Sequence, residues 1–279
     1  MERVVPMRWL LARMYEPDVV IVDCRFSLQD SSQGRLLYEK SHIPGAIYLD
    51  LEKDLSGPVG THGGRHPLPD TGALAKRLGE QGIDRTTRVV AYDDQGGAMA
   101  SRLCWLLVYM GHSLCYVMEQ GFTAWSNSGY PVTSDPSPVP IPKRYEPDVQ
   151  ENMLADVEDV RRALAESAAV LVDSREPRRY AGLEEPIDRK AGHIPGAVNY
   201  MWKDIQDADG KWLAADKLQE RFADLPKDGE IIVYCGSGVT ACPNVLALEA
   251  AGFRNVRLYA GSWSDWITYE ENPIVTGEE

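Results

Sequence analysis

One cysteine in this sequence stands where a thiol can react. In Ile231-Ile232-Val233-Tyr234-Cys235-Gly236-Ser237-Gly238-Val239-Thr240-Ala241, four apolar or aromatic residues end abruptly at Cys235, and glycines follow at once. Such a run reads as a buried parallel strand. Val239, Pro243, Leu246 and Ala250 then recur at spacings of three and four, which marks one face of a helix. A proline fits its first turn, where the missing N–H has no helical partner. Glycines let the loop turn its N–H groups inward, so Gly236, Gly238, Val239 and Thr240 are the positions expected to face a bound group. A helix N-terminus favours the thiolate, the form of sulfur that attacks. The same cradle would hold the outer sulfur of a persulfide. A small cysteine packed at a strand end is the alternative.

The elements that must position this loop occur twice. Val19-Val20-Ile21-Val22-Asp23-Cys24-Arg25 returns as Val170-Leu171-Val172-Asp173-Ser174-Arg175, and His42-Ile43-Pro44-Gly45-Ala46 returns as His193-Ile194-Pro195-Gly196-Ala197. Arg88-Val89-Val90-Ala91-Tyr92-Asp93 matches Ile231-Ile232-Val233-Tyr234-Cys235, Gly111-His112 matches Gly252-Phe253, and Phe122 and Trp125 recur as Trp263 and Trp266. Matched blocks in one order mean a duplicated unit. Between the copies, residues 133–142 carry four prolines, which exclude helix and interior strand. The expected division is an N-terminal domain over 1–133, a proline-rich linker over 134–148 and a C-terminal domain over 149–279. Within each copy short apolar strands alternate with amphipathic stretches, such as 154–167 and 214–225. The expectation is an α/β fold, each domain a mostly parallel sheet with helices on both faces. Sites in such sheets lie at the carboxyl ends of strands, where Cys235 falls. The first copy has Asp93 at that position, and a carboxylate cannot form a persulfide, so the first domain is expected to be catalytically inactive.

Composition narrows the function classes. The 279 residues are 44% hydrophobic, enough for two cores, and the formal charge of −13 argues against nucleic acid or anionic membrane as a partner. No run is long enough to span a bilayer, and the opening Met1-Glu2-Arg3-Val4-Val5-Pro6 lacks the apolar segment of a secretory signal. The cytoplasm is the expected location. Five scattered cysteines with no close CxxC pair indicate neither a disulfide framework nor a zinc site.

On the run Cys235-Gly236-Ser237-Gly238-Val239-Thr240 the chain resembles the rhodanese-type sulfurtransferases, and within them the 3-mercaptopyruvate branch. The thiosulfate branch typically carries arginine and lysine where this chain has Gly236 and Ser237. A phosphatase loop would place an arginine where this chain has Ala241. The resemblance extends over nearly the whole length and implies two tandem rhodanese-like domains with one working site. It implies transfer of sulfur from a small anionic donor, 3-mercaptopyruvate or alternatively thiosulfate, through a Cys235 persulfide to a thiol, cyanide or protein acceptor. No metal or organic cofactor is expected. A non-catalytic persulfide carrier is the reading from a different class.

The resemblance also implies roles for residues outside the loop. In Asp173-Ser174-Arg175-Glu176-Pro177-Arg178-Arg179-Tyr180 it assigns substrate binding to Arg179, with Arg178 beside it; a guanidinium can take a carboxylate through two parallel hydrogen bonds. Arg189 is the candidate for a second substrate arginine. From the first domain, Gly63-Gly64-Arg65-His66-Pro67 would face the cleft and join Ser237, His66 and Glu52 in a serine–histidine–acid arrangement, with Asp50 as the second candidate acid. Attack on mercaptopyruvate expels an enolate that needs a proton and hydrogen-bond donors, whereas thiosulfate expels sulfite, which needs cations more than acids. Trp202, Trp212 and Trp263 are candidates for lining the cleft. Cys242 is read either as a thiol able to resolve an oxidised Cys235 or as a packed residue.

Overall fold

The short apolar runs form two five-stranded sheets in which every strand pairing is parallel. The structure is a computed structural model that describes residues 3–277; residues 1–2 and 278–279, the outer ends of the two expected domains, lie outside the described residues. In the first sheet β1 (Val4–Val5), β2 (Val19–Asp23), β3 (Ile47–Tyr48), β4 (Arg88–Tyr92) and β5 (Cys115–Met118) lie in the order β1-β5-β4-β2-β3. In the second, β6 (Leu154–Ala155), β7 (Ala169–Asp173), β8 (Val198–Asn199), β9 (Glu230–Tyr234) and β10 (Val256–Tyr259) lie in the order β6-β10-β9-β7-β8. The two orders correspond strand for strand, as a duplication requires.

The central strands are apolar except at their ends because helices cover both faces of each sheet. One element runs differently from its periodicity. The helix expected over 154–167 begins at Val157, since Leu154 and Ala155 pair with β10 instead. Asp156 marks the change by accepting the amide of Asp159, and Asp159 returns the bond in a capping box.

The sheets are joined by the two helices that follow their central strands. Ala98–Tyr109 and Ala241–Ala250 are buried around most of their circumference. A helix apolar on all sides is covered on all sides; each of these lies against its own sheet and against the other copy's helix. Their side chains merge into one core that includes Leu103, Trp105 and Leu107 from the first copy and Val245, Leu246 and Leu248 from the second. Residues 134–148 form no helix or strand. They run along the first domain, held by Lys143 N–H on Gly79 O and Asp148 N–H on Met110 O, with Tyr145 buried.

The repeated motifs do the same structural work in both copies. Asp23 pairs with Arg25 at 2.6 Å and Asp173 with Arg175 at 2.6 Å, all four side chains buried. His42 Nδ1 lies 2.7 Å from Tyr38 O and His193 Nδ1 lies 2.7 Å from Tyr180 O, each imidazole stacked on that tyrosine.

Candidate active site

Strand β9 ends at Tyr234, so Cys235 is the first residue beyond the sheet, and the next helix starts at Ala241. The loop between them is fixed by its glycines. Gly238 has φ 75°, and a Cβ there would lie 2.1 Å from Ala260 O, so any other residue would push the loop off the strand β10 connection. Cys235 itself is 1% exposed, and its N–H donates to Ser262 Oγ at 3.1 Å. Gly236, Ser237, Val239 and Thr240 line a cleft of about 900 Å³, together with Arg65, His66, Glu176, Arg179 and Trp202.

The first domain lines this cleft with Leu51, Asp94 and Met99 among others, and docks on the second domain beside it through residues 62–66. Gly63 N–H donates to Asp265 Oδ1 at 2.7 Å and Arg65 N–H to Ser264 Oγ at 3.1 Å. Gly64, at φ 79°, brings its backbone so close that a Cβ would stand 2.4 Å from Gly261 O. This docking carries His66 to the loop, where its Nδ1 lies 2.8 Å from Ser237 Oγ. Burial, then the Arg102 and Arg65 cations, push the His66 imidazole down to about 4. The ring is therefore neutral near pH 7 and able to pair with a hydroxyl as donor or acceptor.

Glu52 is not part of this pair. The chain turns at Asp50, whose buried carboxylate accepts from the amides of Glu52 and Lys53 at 2.9 and 3.1 Å and turns the Glu52 side chain out to solvent. Asp50 is committed to that turn and to Tyr48, so among the described residues neither acid hydrogen-bonds to His66. What stands behind the histidine is a cation. Arg102, fully buried on the helix Ala98–Tyr109, donates to Gly238 O at 3.1 Å and to His66 O at 3.2 Å, tying the loop and the histidine together.

Two arginines converge on Gly236. A Cβ placed there would lie 3.1 Å from Arg65 Nη2 and 3.5 and 3.6 Å from Arg179 Nη2 and Nη1. Arg179 is held by Glu185 at 2.7 Å and Asp188 at 3.2 Å, and Asp188 also pairs with Arg65 across the domain boundary. Arg178 is not among the residues that line the cleft; it is largely exposed and pairs at 2.9 Å with Glu184 on the rim. Arg189 donates to Ile267 O at 3.0 Å. Of the tryptophans, Trp202 lines the cleft and Trp212 a separate cavity, while Trp263 is fully buried with its indole N–H on Lys190 O. Cys242 is packed: its thiol donates to Gly238 O at 3.3 Å, and burial pushes it up to about 12.

Arg102, Glu185 and Asp188 are absent from the sequence reading, and Arg65 enters it only as part of the loop expected to face the cleft, with no role of its own. Arg102 alone carries a local signal, as the one charged residue in the otherwise apolar or small Ala-Met-Ala-Ser-Arg-Leu-Cys-Trp-Leu-Leu-Val-Tyr helix.

Known proteins match this architecture along the whole chain. A probable 3-mercaptopyruvate sulfurtransferase of Pseudomonas aeruginosa is 43% identical over 275 residues, covering 96% of each chain. A thiosulfate sulfurtransferase of Corynebacterium glutamicum is 34% identical, over 99% of this chain and 91% of that one. Among solved structures, SseA from Escherichia coli, described with the rhodanese fold and as a 3-mercaptopyruvate sulfotransferase, superposes with a TM-score of 0.82 at 28% identity, covering 95% of this chain and 100% of that one. Residues 7–128 and 156–269 each match the rhodanese-like domain, and the chain belongs to that family, carrying its domain twice.

Proposed function

We propose that the chain is a sulfurtransferase that takes a sulfur atom from 3-mercaptopyruvate onto Cys235 and passes it to a thiol or cyanide acceptor. The observation that carries this reading is the Ser237–His66 pair at 2.8 Å, set beside the Cys235 loop in a cleft with two arginines. The name of the 43% identical relative supports the same donor. On this reading the division into an inactive domain over 1–133, a linker over 134–148 and a catalytic domain over 149–279 follows the single usable sulfur.

In the first half-reaction the Cys235 thiolate attacks the thiol sulfur of mercaptopyruvate. The S–S bond forms as the C–S bond breaks, and the bonding pair leaves with carbon as the enolate of pyruvate. Cys235 then carries the persulfide, Cys–S–SH, and a proton converts the enolate to pyruvate. Ser237 would donate to the developing oxyanion, its oxygen then accepting from the Nδ1–H of neutral His66. Arg179 and Arg65 would orient the donor carboxylate. In the second half-reaction an acceptor thiolate or cyanide attacks the outer sulfur and releases the Cys235 thiolate, which gives ping-pong kinetics. Five free cysteines fit a reducing, cytoplasmic setting in which that thiolate persists.

Thiosulfate is the second reading, supported by relatives of that name. The loop counts against it, since Gly236 and Ser237 supply no cation to hold a dianion. Side-by-side turnover with mercaptopyruvate and thiosulfate is the test, with mass spectrometry of Cys235 after donor treatment. Higher kcat/KM with mercaptopyruvate and a mass gain of one sulfur are expected. Faster turnover with thiosulfate would reverse the donor, and a readily loaded Cys235 with no turnover would leave a persulfide carrier.

A further inference from the structure

Two carboxylates stand against the arginines of the cleft, and the sulfur-transfer chemistry has no use for either as an acid or base. Glu185 and Asp188 both have side chains only 4% exposed. Glu185 takes Arg179 through Oε1 at 2.7 Å and Oε2 at 3.2 Å, and reaches Arg175 Nη1 at 3.4 Å. Asp188 Oδ2 accepts from Arg179 Nη2 at 3.2 Å, and its Oδ1 is paired with Arg65 Nη1. With the Asp173–Arg175 pair included, the guanidiniums are matched one for one by carboxylates. The rim adds Asp94, Glu176 and Asp207 against Lys203, and Glu184, which is paired with Arg178. The cleft therefore offers well-aimed N–H groups and no surplus positive charge.

We propose that Asp188 sets donor selectivity in this site, an inference that rests on the sulfur-transfer reading. Its carboxylate holds one edge of Arg65 and one edge of Arg179. Among the described residues Arg65 Nη2 and Arg179 Nη1 make no hydrogen bond, and both lie within 3.6 Å of a Cβ built on Gly236. They form a two-armed clamp, one arm from each domain, for a single carboxylate beside Cys235. Arg65 thus takes the place of the second substrate arginine, since Arg189 is turned to Ile267 O. A monoanionic carboxylate gains two charge-assisted hydrogen bonds there. A dianion must shed more hydration, and Asp188 cancels the charge that would repay it.

The test compares donors in Asp188→Asn, which keeps the side-chain shape and removes the charge. KM for thiosulfate should fall about tenfold relative to KM for mercaptopyruvate, while Asp188→Glu restores the wild-type ratio. Arg65→Gln should raise KM for mercaptopyruvate about tenfold with a much smaller change in kcat. A donor ratio unmoved in Asp188→Asn, or a KM unmoved in Arg65→Gln, overturns the assignment. Should Asp188→Asn fail to fold, the wild type still decides. Pyruvate, a monoanion, should inhibit at lower concentration than sulfate, a dianion, and the opposite order overturns the assignment. A wild type that turns over neither donor brings down the sulfur-transfer reading as well. One that uses mercaptopyruvate but shows an unmoved ratio in the variant brings down only the role of Asp188.

Discussion

The two copies place different side chains at the start of the same strand-to-helix loop. In the first, Asp93 follows β4 as Cys235 follows β9, and its buried carboxylate collects four backbone amides. Oδ1 accepts from Gln95 and Gly97, both at 2.8 Å, and Oδ2 from Met99 and Ala100 at 2.9 and 3.0 Å. Burial pushes the Asp93 carboxyl up and the amides oppose it. Gly96 and Gly238 occupy equivalent places with φ 70° and 75°, but Gly97 follows at φ 82° where Val239 is not left-handed, so the two loops share one turn and differ at the next residue. The lesson is that a turn of this kind between strand and helix can hold an anion on its backbone amides. In the first copy a carboxylate fills it permanently. In the second the corresponding loop opens on Cys235, a sulfur that can change its bonding partners.

The largest expected effect tests the reactive half of that contrast. Cys235→Ser keeps the size of the side chain and should lower turnover by at least about 10³-fold, with an unchanged melting temperature. Turnover assays and circular dichroism check it together, and retained activity would place the nucleophile elsewhere. The filled half is tested by Asp93→Ala. Four amides aimed into a dry pocket would lose their acceptor, which should destabilise the protein by about 3 kcal/mol in chemical denaturation. A change below about 1 kcal/mol would mean water or a buffer anion replaces the carboxylate at little cost.

A smaller effect separates the donors. Ser237→Ala and His66→Gln should each lower kcat with mercaptopyruvate by about 10- to 100-fold, because both act on the developing enolate. Turnover with thiosulfate should fall much less, since sulfite leaves without a proton. Equal losses with both donors would show that the pair shapes the loop and takes no part in the chemistry. Replacing both at once should cost little more than either alone, because they act as a unit.

The half of this comparison that is legible in the sequence is the local half. Strand β9, the glycine turn and the helix from Ala241 are each fixed by residues within a few positions, so periodicity and turn chemistry reveal them. The duplication is visible because buried strands and tight turns tolerate few residue types. Arg65 and Asp188 are silent for the opposite reason. Each is an ordinary charged residue in its own loop, and the site exists only where a first-domain loop docks on the second domain through Gly63, Gly64 and Arg65. Glu52 is the acid that the resemblance implies for His66, although its spacing to the histidine is longer than the family's. Nothing in spacing shows that Asp50 would take the local amides and turn Glu52 outward. Arg178 misleads in the same way, since one residue along a short helix rotates a side chain from cleft to solvent.

The smallest expected effect is the absence of one, and it concerns why His66 has no acid behind it. A histidine paired with a carboxylate is held charged more strongly, whereas His66 faces Arg102 and Arg65 and is buried, which sets it at about 4. In the unfolded chain it returns to its ordinary value near ~6.5. Folding stability from this group is therefore fully present above about pH 6.5 and is lost as the pH falls toward about 4. The Ser237–His66 hydrogen bond keeps one protonation state over the same upper range. The ratio of kcat between the wild type and Ser237→Ala should then stay constant within about twofold from about pH 8 to about pH 5. A ratio that collapses between about pH 7 and about pH 6 would show an imidazole titrating in the usual range. The arginines would then not be holding it neutral, and the distinction between an acid-backed and a cation-backed histidine would lose its footing.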